Sequence, residues 1–398
     1  MPDLRVFALV AGVFCIVTVL FDAFQTIILP RRATGTFRLT RIFYILTWNP
    51  WAFFVKRIRD ARSRETAFSF FGPLSLIVLL ALWAAALLFG FGLVYYSLGT
   101  PFYDSRQHAG LLSDLYVSGA TVFTLGPTDA GPARYAARLL MVLEAGTGFG
   151  FLAIVMGYFP VLYGAFSRRE VSISLLDARA GSPPTASELM RRHANQDAVE
   201  ALSTLLIEWE RWSAELLESH ISFPLLCYFR SQHTNQSWIS ALTAILDTSA
   251  LLIAGVRGHE ARQAQLTFAM ARHAMVDLSQ VFSLKPVPDA ADRLPAERYE
   301  QLYGLLCQGG VSMCRDNDSQ QRLCEMRRLY EPYAEALSRH FFMPLPPWIA
   351  TQQRKDNWLT VSKVRASAEI ANPDSERRVA GEDRHGPLES LHDDHHAF

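Results

Sequence analysis

The hydrophobic pattern splits the chain into two unlike parts. Leu4 to Leu29 is an apolar run broken by Asp22 and a few uncharged polar residues. Leu74 to Val94 carries no charge over 21 positions, and Ala145 to Phe166 carries none over 22. About 20 apolar residues at about 1.5 Å rise cross about 30 Å of hydrocarbon, so each run predicts a membrane span. The first is longer than the apolar core of a cleaved signal and lacks a small-x-small cut site behind it, which predicts an anchor. Ile42 to Val55 is apolar and aromatic but only 14 residues long. That length predicts an interfacial or re-entrant segment, with Trp48 and Trp51 at headgroup level. The alternative is a further crossing, with Arg31 and Arg32 outside.

From Ser167 onward the pattern becomes amphipathic with mixed charge. Helical periodicity covers roughly 187–220, 236–256, 259–283, 295–308 and 319–341, punctuated by Pro224, Gly258, Pro286, Pro288, Gly309-Gly310 and Pro344. Trp238 to Val256 is nearly apolar, yet Asp247 and several Ser and Thr predict a buried core helix rather than a fourth span. Hardly any strand alternation occurs, so the second part is expected to be all-α. After about residue 366 the polar, charge-rich composition predicts disorder.

The 38 Lys and Arg among the 398 residues balance 38 Asp and Glu, which gives no argument for a nucleic-acid partner. Five Cys without tight pairing exclude a disulfide scaffold and a zinc ribbon. The uneven distribution of charge is more informative. Nine basic residues (Arg31, Arg32, Arg38, Arg41, Lys56, Arg57, Arg59, Arg62, Arg64) separate the first two long runs; only Arg106, Arg134 and Arg138 separate the next two. The positive-inside rule then places 31–65 in the cytoplasm, 100–133 outside and the large C-terminal part inside. The expectation is a multi-pass protein of the cell inner membrane.

Between the second and third runs, Gly110 to Thr124 reads as a short helix of about three turns. Leu125-Gly126-Pro127-Thr128-Asp129-Ala130-Gly131-Pro132 follows as an extended, turn-like stretch. A dipping helix with an extended return between two spans resembles the pore domain of the potassium-channel family. The filter pattern of that family, T-x-G-Y-G-D with a later Pro, is matched at Thr124, Gly126, Asp129 and Pro132, and Thr121 matches its earlier threonine. The resemblance covers roughly residues 70–168.

The resemblance implies an all-α membrane protein, a potassium-channel-like pore domain of three spans plus pore helix, with an all-α cytoplasmic domain. It implies ion ligands from the Thr124 hydroxyl and from the carbonyls of Thr124, Leu125, Gly126 and Pro127, with potassium or another monovalent cation as permeant ligand. Thr121, Thr128, Asp129 and Glu144 would support that filter, Glu144 by bracing the loop from behind. Gly148, Gly150 and Pro160 are hinge candidates for gating, although Gly and Pro also serve close packing in membrane helices. A filter needs four loops around an axis, so a homotetramer in the bilayer is implied. Two positions depart from the family: Pro127 replaces the aromatic residue and loses its N–H, and β-branched Thr128 replaces a Gly. The alternative is therefore a non-conducting receptor or scaffold with a degenerate filter.

Asp22 is expected to pair within the fold, with Arg31 or Arg32 in reach. No Arg ladder marks a voltage sensor, and no catalytic constellation, cofactor motif or metal set is legible, so an enzyme is not expected. The expected organisation is an N-terminal span and basic segment (1–65), a pore domain (66–168), a helical cytoplasmic domain (169–365) and a disordered tail (366–398).

Overall fold

In a computed structural model, residues 2–29, 39–99, 110–126, 132–193, 198–232, 235–255, 261–311, 313 and 316–350 are described. Helices make up its extended regular elements. Helix α1 (Pro2–Ala23) runs into a π-helical turn (Phe24–Ile28); α2 spans Leu39–Val55, α3 Ala61–Leu98 and α4 Leu111–Val122. Helix α5 covers Tyr135–Ala180, 46 residues or about 69 Å. It passes residue 168, where the composition changes, without a break.

The C-terminal half consists of α6 (Ala186–Arg192), α7 (Ala198–Ser222), a 3-10 turn (Pro224–Tyr228), α8 (Trp238–Gly255), α9 (Ala261–Val281), α10 (Ala296–Gln308), α11 (Asn317–Arg328) and α12 (Glu331–Phe341). Two stretches read as continuous from periodicity are divided. The first, 187–220, becomes α6 and α7. The second, 319–341, becomes α11 and α12, because Pro332 lies in the first turn of α12, where its missing N–H costs nothing. The expected disordered tail lies outside the described residues.

Among the described residues, four helices are long and apolar enough to cross a membrane. Burial separates them. In the most apolar window, 17% of α1, 39% of α3 and 11% of α5 are buried, against 94% of α8. Helix α8 is therefore the core helix that Asp247 and its neighbouring hydroxyls predict. Its Asp247 carboxylate accepts from Arg293 (2.6 Å) and from the Tyr330 hydroxyl, which satisfies a charge with no exposure at all.

Close backbone approach joins α1 to α3. A Cβ on Gly12 would lie 2.6 Å from Gly90 O, and one on Gly90 would lie 2.8 Å from Ile16 Cγ1. Small residues let two apolar helices approach closely where lipid offers no hydrophobic incentive to associate. Asp60 caps α3, accepting from Ser63 N–H at 2.7 Å, and Gly99 ends it in a left-handed conformation (φ 55°).

Helix α2, short as its length predicts, packs between α3 and the C-terminal half. Trp48 Nε1 donates to His340 O at 3.1 Å, and Tyr44 stacks on Tyr228 at 5.3 Å. Phe68 and Phe71 of α3 join the same aromatic cluster, each pair contributing about 0.5–1.5 kcal/mol beyond burial. Arg230 closes it, donating to Phe341 O (2.6 Å) and Phe342 O (3.0 Å) and pairing with Glu65 (3.2 Å).

Gly12→Leu should force α1 off α3, at about 1–3 kcal/mol for overpacking. Cys15 Sγ, which donates to Ala86 O at 3.4 Å, is the reporter. Maleimide should label Cys15 faster in the variant; an unchanged rate would refute the glycine contact.

Candidate functional site

Helix α4 is too short and too polar to span, and it is wedged between α3 and α5. Glycine makes room on both sides. A Cβ on Gly92 would lie 2.6 Å from Leu115 Cδ2, and one on Gly148 would lie 2.3 Å from Val122 O. Gly148 is thus occupied by backbone contact with the end of α4, whereas Gly150 faces open space. Pro160 lies inside the unbroken α5.

Glu144 fastens this wedge. It is fully buried on α5, accepts from Tyr95 Oη of α3 at 2.8 Å, and contacts the Ser118 hydroxyl of α4 through its other oxygen. Ser118 also reaches Leu88 O of α3 at 2.9 Å. One carboxylate thereby ties three helices directly behind the short helix. Thr121 is buried beside it, its hydroxyl donating to Val117 O at 2.8 Å.

The end of α4 has a definite backbone geometry. Thr124 N–H donates to Thr121 O (3.0 Å) and Leu125 N–H to Ala120 O (2.8 Å), the paired bonds of a Schellman motif. That motif places Thr124 at φ 58°, where glycine is usual. A β-branched residue there is strained by about 1–3 kcal/mol. Gly126 follows at φ 73° with open space around it. Positive φ therefore recurs at alternate residues, and the loop from Phe123 to Gly126 is exposed. Pro127, Thr128 and Asp129, where the sequence departs from or matches the family pattern, lie outside the described residues.

Asp22 is paired among the described residues. Its carboxylate accepts from Trp83 Nε1 (3.1 Å), Thr40 Oγ1 (2.7 Å) and Thr40 N–H (3.2 Å), which places a negative charge in the first turn of α2. Arg31 and Arg32 lie outside the described residues.

Sequence reasoning missed the junction at the far end of α5. Arg169 is buried and spends its donors on Glu170 Oε1 (2.9 Å), Leu226 O (2.9 Å), Phe229 O (2.9 Å) and His220 Nε2 (3.1 Å). His220 must accept from that guanidinium, so its proton is assigned to Nδ1, 2.9 Å from Leu216 O. Burial and the neighbouring Arg169 charge hold His220 well below its ordinary value. Burial alone lowers His340 to about 4. The adjacent Arg169-Glu170 pair at the end of an apolar run was the available signal.

No family model matches the chain, and no solved structure matches it. It is 27% identical over 179 residues to "Uncharacterized membrane protein YdjJ" of Bacillus subtilis (strain 168), an alignment covering 44% of this chain and 51% of that protein. The chain thus spans about half the length of the curated relative it matches. Together with its exposed apolar helices, this makes it a helical membrane protein.

Two outcomes follow. Glu144→Leu should strand the Tyr95 hydroxyl at about 1–3 kcal/mol, lowering the unfolding midpoint, while Ser118 keeps Leu88 O and Glu144→Gln should retain most of the stability. For His220, the unfolded chain binds a proton below about pH 6.5 that the fold refuses, so stability falls on acidification. Denaturation between about pH 7 and 5 should show this slope, up to about 1.4 kcal/mol per pH unit per buried histidine, and His220→Gln should reduce it, leaving the share of His340.

Proposed function

We propose that the chain forms a homotetrameric channel for monovalent cations, potassium foremost, with one pore loop contributed by each subunit. The observation that carries this reading is the short helix α4 clamped by Glu144, ending in an exposed loop with positive φ at Thr124 and Gly126. Alternating backbone handedness is what a strand needs to aim successive carbonyls toward one axis. Four such loops would supply the oxygens that replace a hydration shell, with the Thr124 hydroxyl innermost.

The weak burial of α5 supports the same assembly. Val142, Phe149 and Tyr163 are each more than 60% exposed on a helix barely covered within its own chain. In the tetramer its faces would meet the axis and the neighbouring subunits. The C-terminal half would sit in the cytoplasm of an inner-membrane protein, joined to the lining helix through Arg169.

Flux into liposomes tests the reading. Wild type should pass potassium, and Thr124→Ala should weaken ion block and conduction by removing the innermost hydroxyl. Pro127→Tyr with Thr128→Gly restores the family pattern and should raise potassium over sodium preference. Native mass showing only monomers or dimers, or no flux in wild type and restored filter alike, would leave the non-conducting scaffold as the better reading.

A further inference from the structure

A cavity of about 240 Å³ lies where the N-terminal helices meet the C-terminal half. Its floor is apolar and buried: Leu79 and Trp83 of α3, with Leu225 and Tyr228 of the 3-10 turn. Its rim is exposed, formed by Arg41, Ile45 and Asn49 at successive turns of α2. A dry cavity of about 150 Å³ suffices for one benzene-sized molecule, so this space admits a longer apolar body.

Among the described residues, two polar atoms in the lining lack hydrogen-bond partners. Tyr44 Oη and His340 Nε2 are buried without a hydrogen bond; the Ser75 hydroxyl beside Tyr44 donates instead to Gly72 O. Thr26 and Thr40 hydroxyls bond each other at 3.1 Å at one side of the cavity. The negative charge nearby, Asp22, is already engaged by Trp83 and Thr40. Arg41 supplies a positive charge at the mouth, where its guanidinium donates to the neutral Ser283 hydroxyl at 3.2 Å.

An apolar pocket with one cationic rim, beside lipid-exposed α1 and α3, selects a molecule with an apolar chain and an anionic head. The volume takes the inner part of one chain and not the two of a phospholipid. We propose that this cavity binds a single-chain fatty carboxylate, its tail against Leu79, Trp83 and Tyr228 and its head at Arg41. Tyr158 of α5 also lines the space, so the occupant touches the longest helix and the C-terminal half at once. It would bias their packing whether or not the protein conducts, and the site stands apart from the pore reading.

Trp83 and Trp48 line the cavity and are 2% and 4% exposed, which gives the test its signal. The full chain in detergent is titrated with 9,10-dibromostearate, its methyl ester, and a dibrominated phosphatidylcholine, following tryptophan quenching. Saturable quenching by the acid is expected, weakened at least about tenfold in the ester and in Arg41→Glu. Arg41 is exposed, so that variant should fold, as gel filtration will check. Ile27→Phe, which narrows the cavity, should weaken the acid as well. Quenching that only tracks the detergent mole fraction, or that is equal for acid, ester and Arg41→Glu, overturns the proposal. Stronger saturable quenching by the phospholipid also overturns it, in favour of a lipid site.

Discussion

Carbonyls freed where a helix ends inside the protein must find donors, and two arginines meet that need at the junction of the two halves. The backbone turning from α7 to α8 offers Leu226 O and Phe229 O to Arg169, while the end of α12 offers Phe341 O and Phe342 O to Arg230. Arginine suits this role because its planar fork presents five donors in fixed directions. Arg169 belongs to α5, and Arg230 pairs with Glu65 of α3. The same bonds that satisfy the turn thus fix both long helices to the C-terminal half, and any movement of α5 must be transmitted through them.

Above that junction the helices are held by absence of side chain rather than by charge. Gly12, Gly90, Gly92 and Gly148 let backbones approach to distances a Cβ would forbid. Where glycine has opened the space a polar group enters: Glu144 reaches Tyr95 and Ser118 because α4 lies against both neighbours. Packing and polar satisfaction are therefore one arrangement, and the strained Thr124 sits at its open end. Strain there is sustained because α4 is fixed along its length.

The C-terminal half repeats the logic with ions. Arg293 joins Asp247 and Glu331, and Arg327 joins Asp292 and Glu331, with both guanidiniums beside the Trp348 ring. Buried charges like these are costly unless all are paired. Their pairing sets the register of α8, α11 and α12 and ties down the segment ending at Trp348.

The sequence by itself determined the class of structure. Charge-free runs near 20 residues require apolar surroundings, and a periodicity of 3.6 without strand alternation requires helices, so spans, the short α4 and the core status of α8 were legible from local composition. That Glu144 is paired was legible, because a carboxylate in an apolar run must find partners. Which partners it finds was not, since Tyr95 and Ser118 lie 49 and 26 positions away. The same holds for Asp22 with Trp83 and Thr40, for Arg169 with His220, and for the cavity lined by seven separate elements. Those depend on how helices cross, and crossing is decided by side-chain shape over the whole contact, which only the tertiary structure sums.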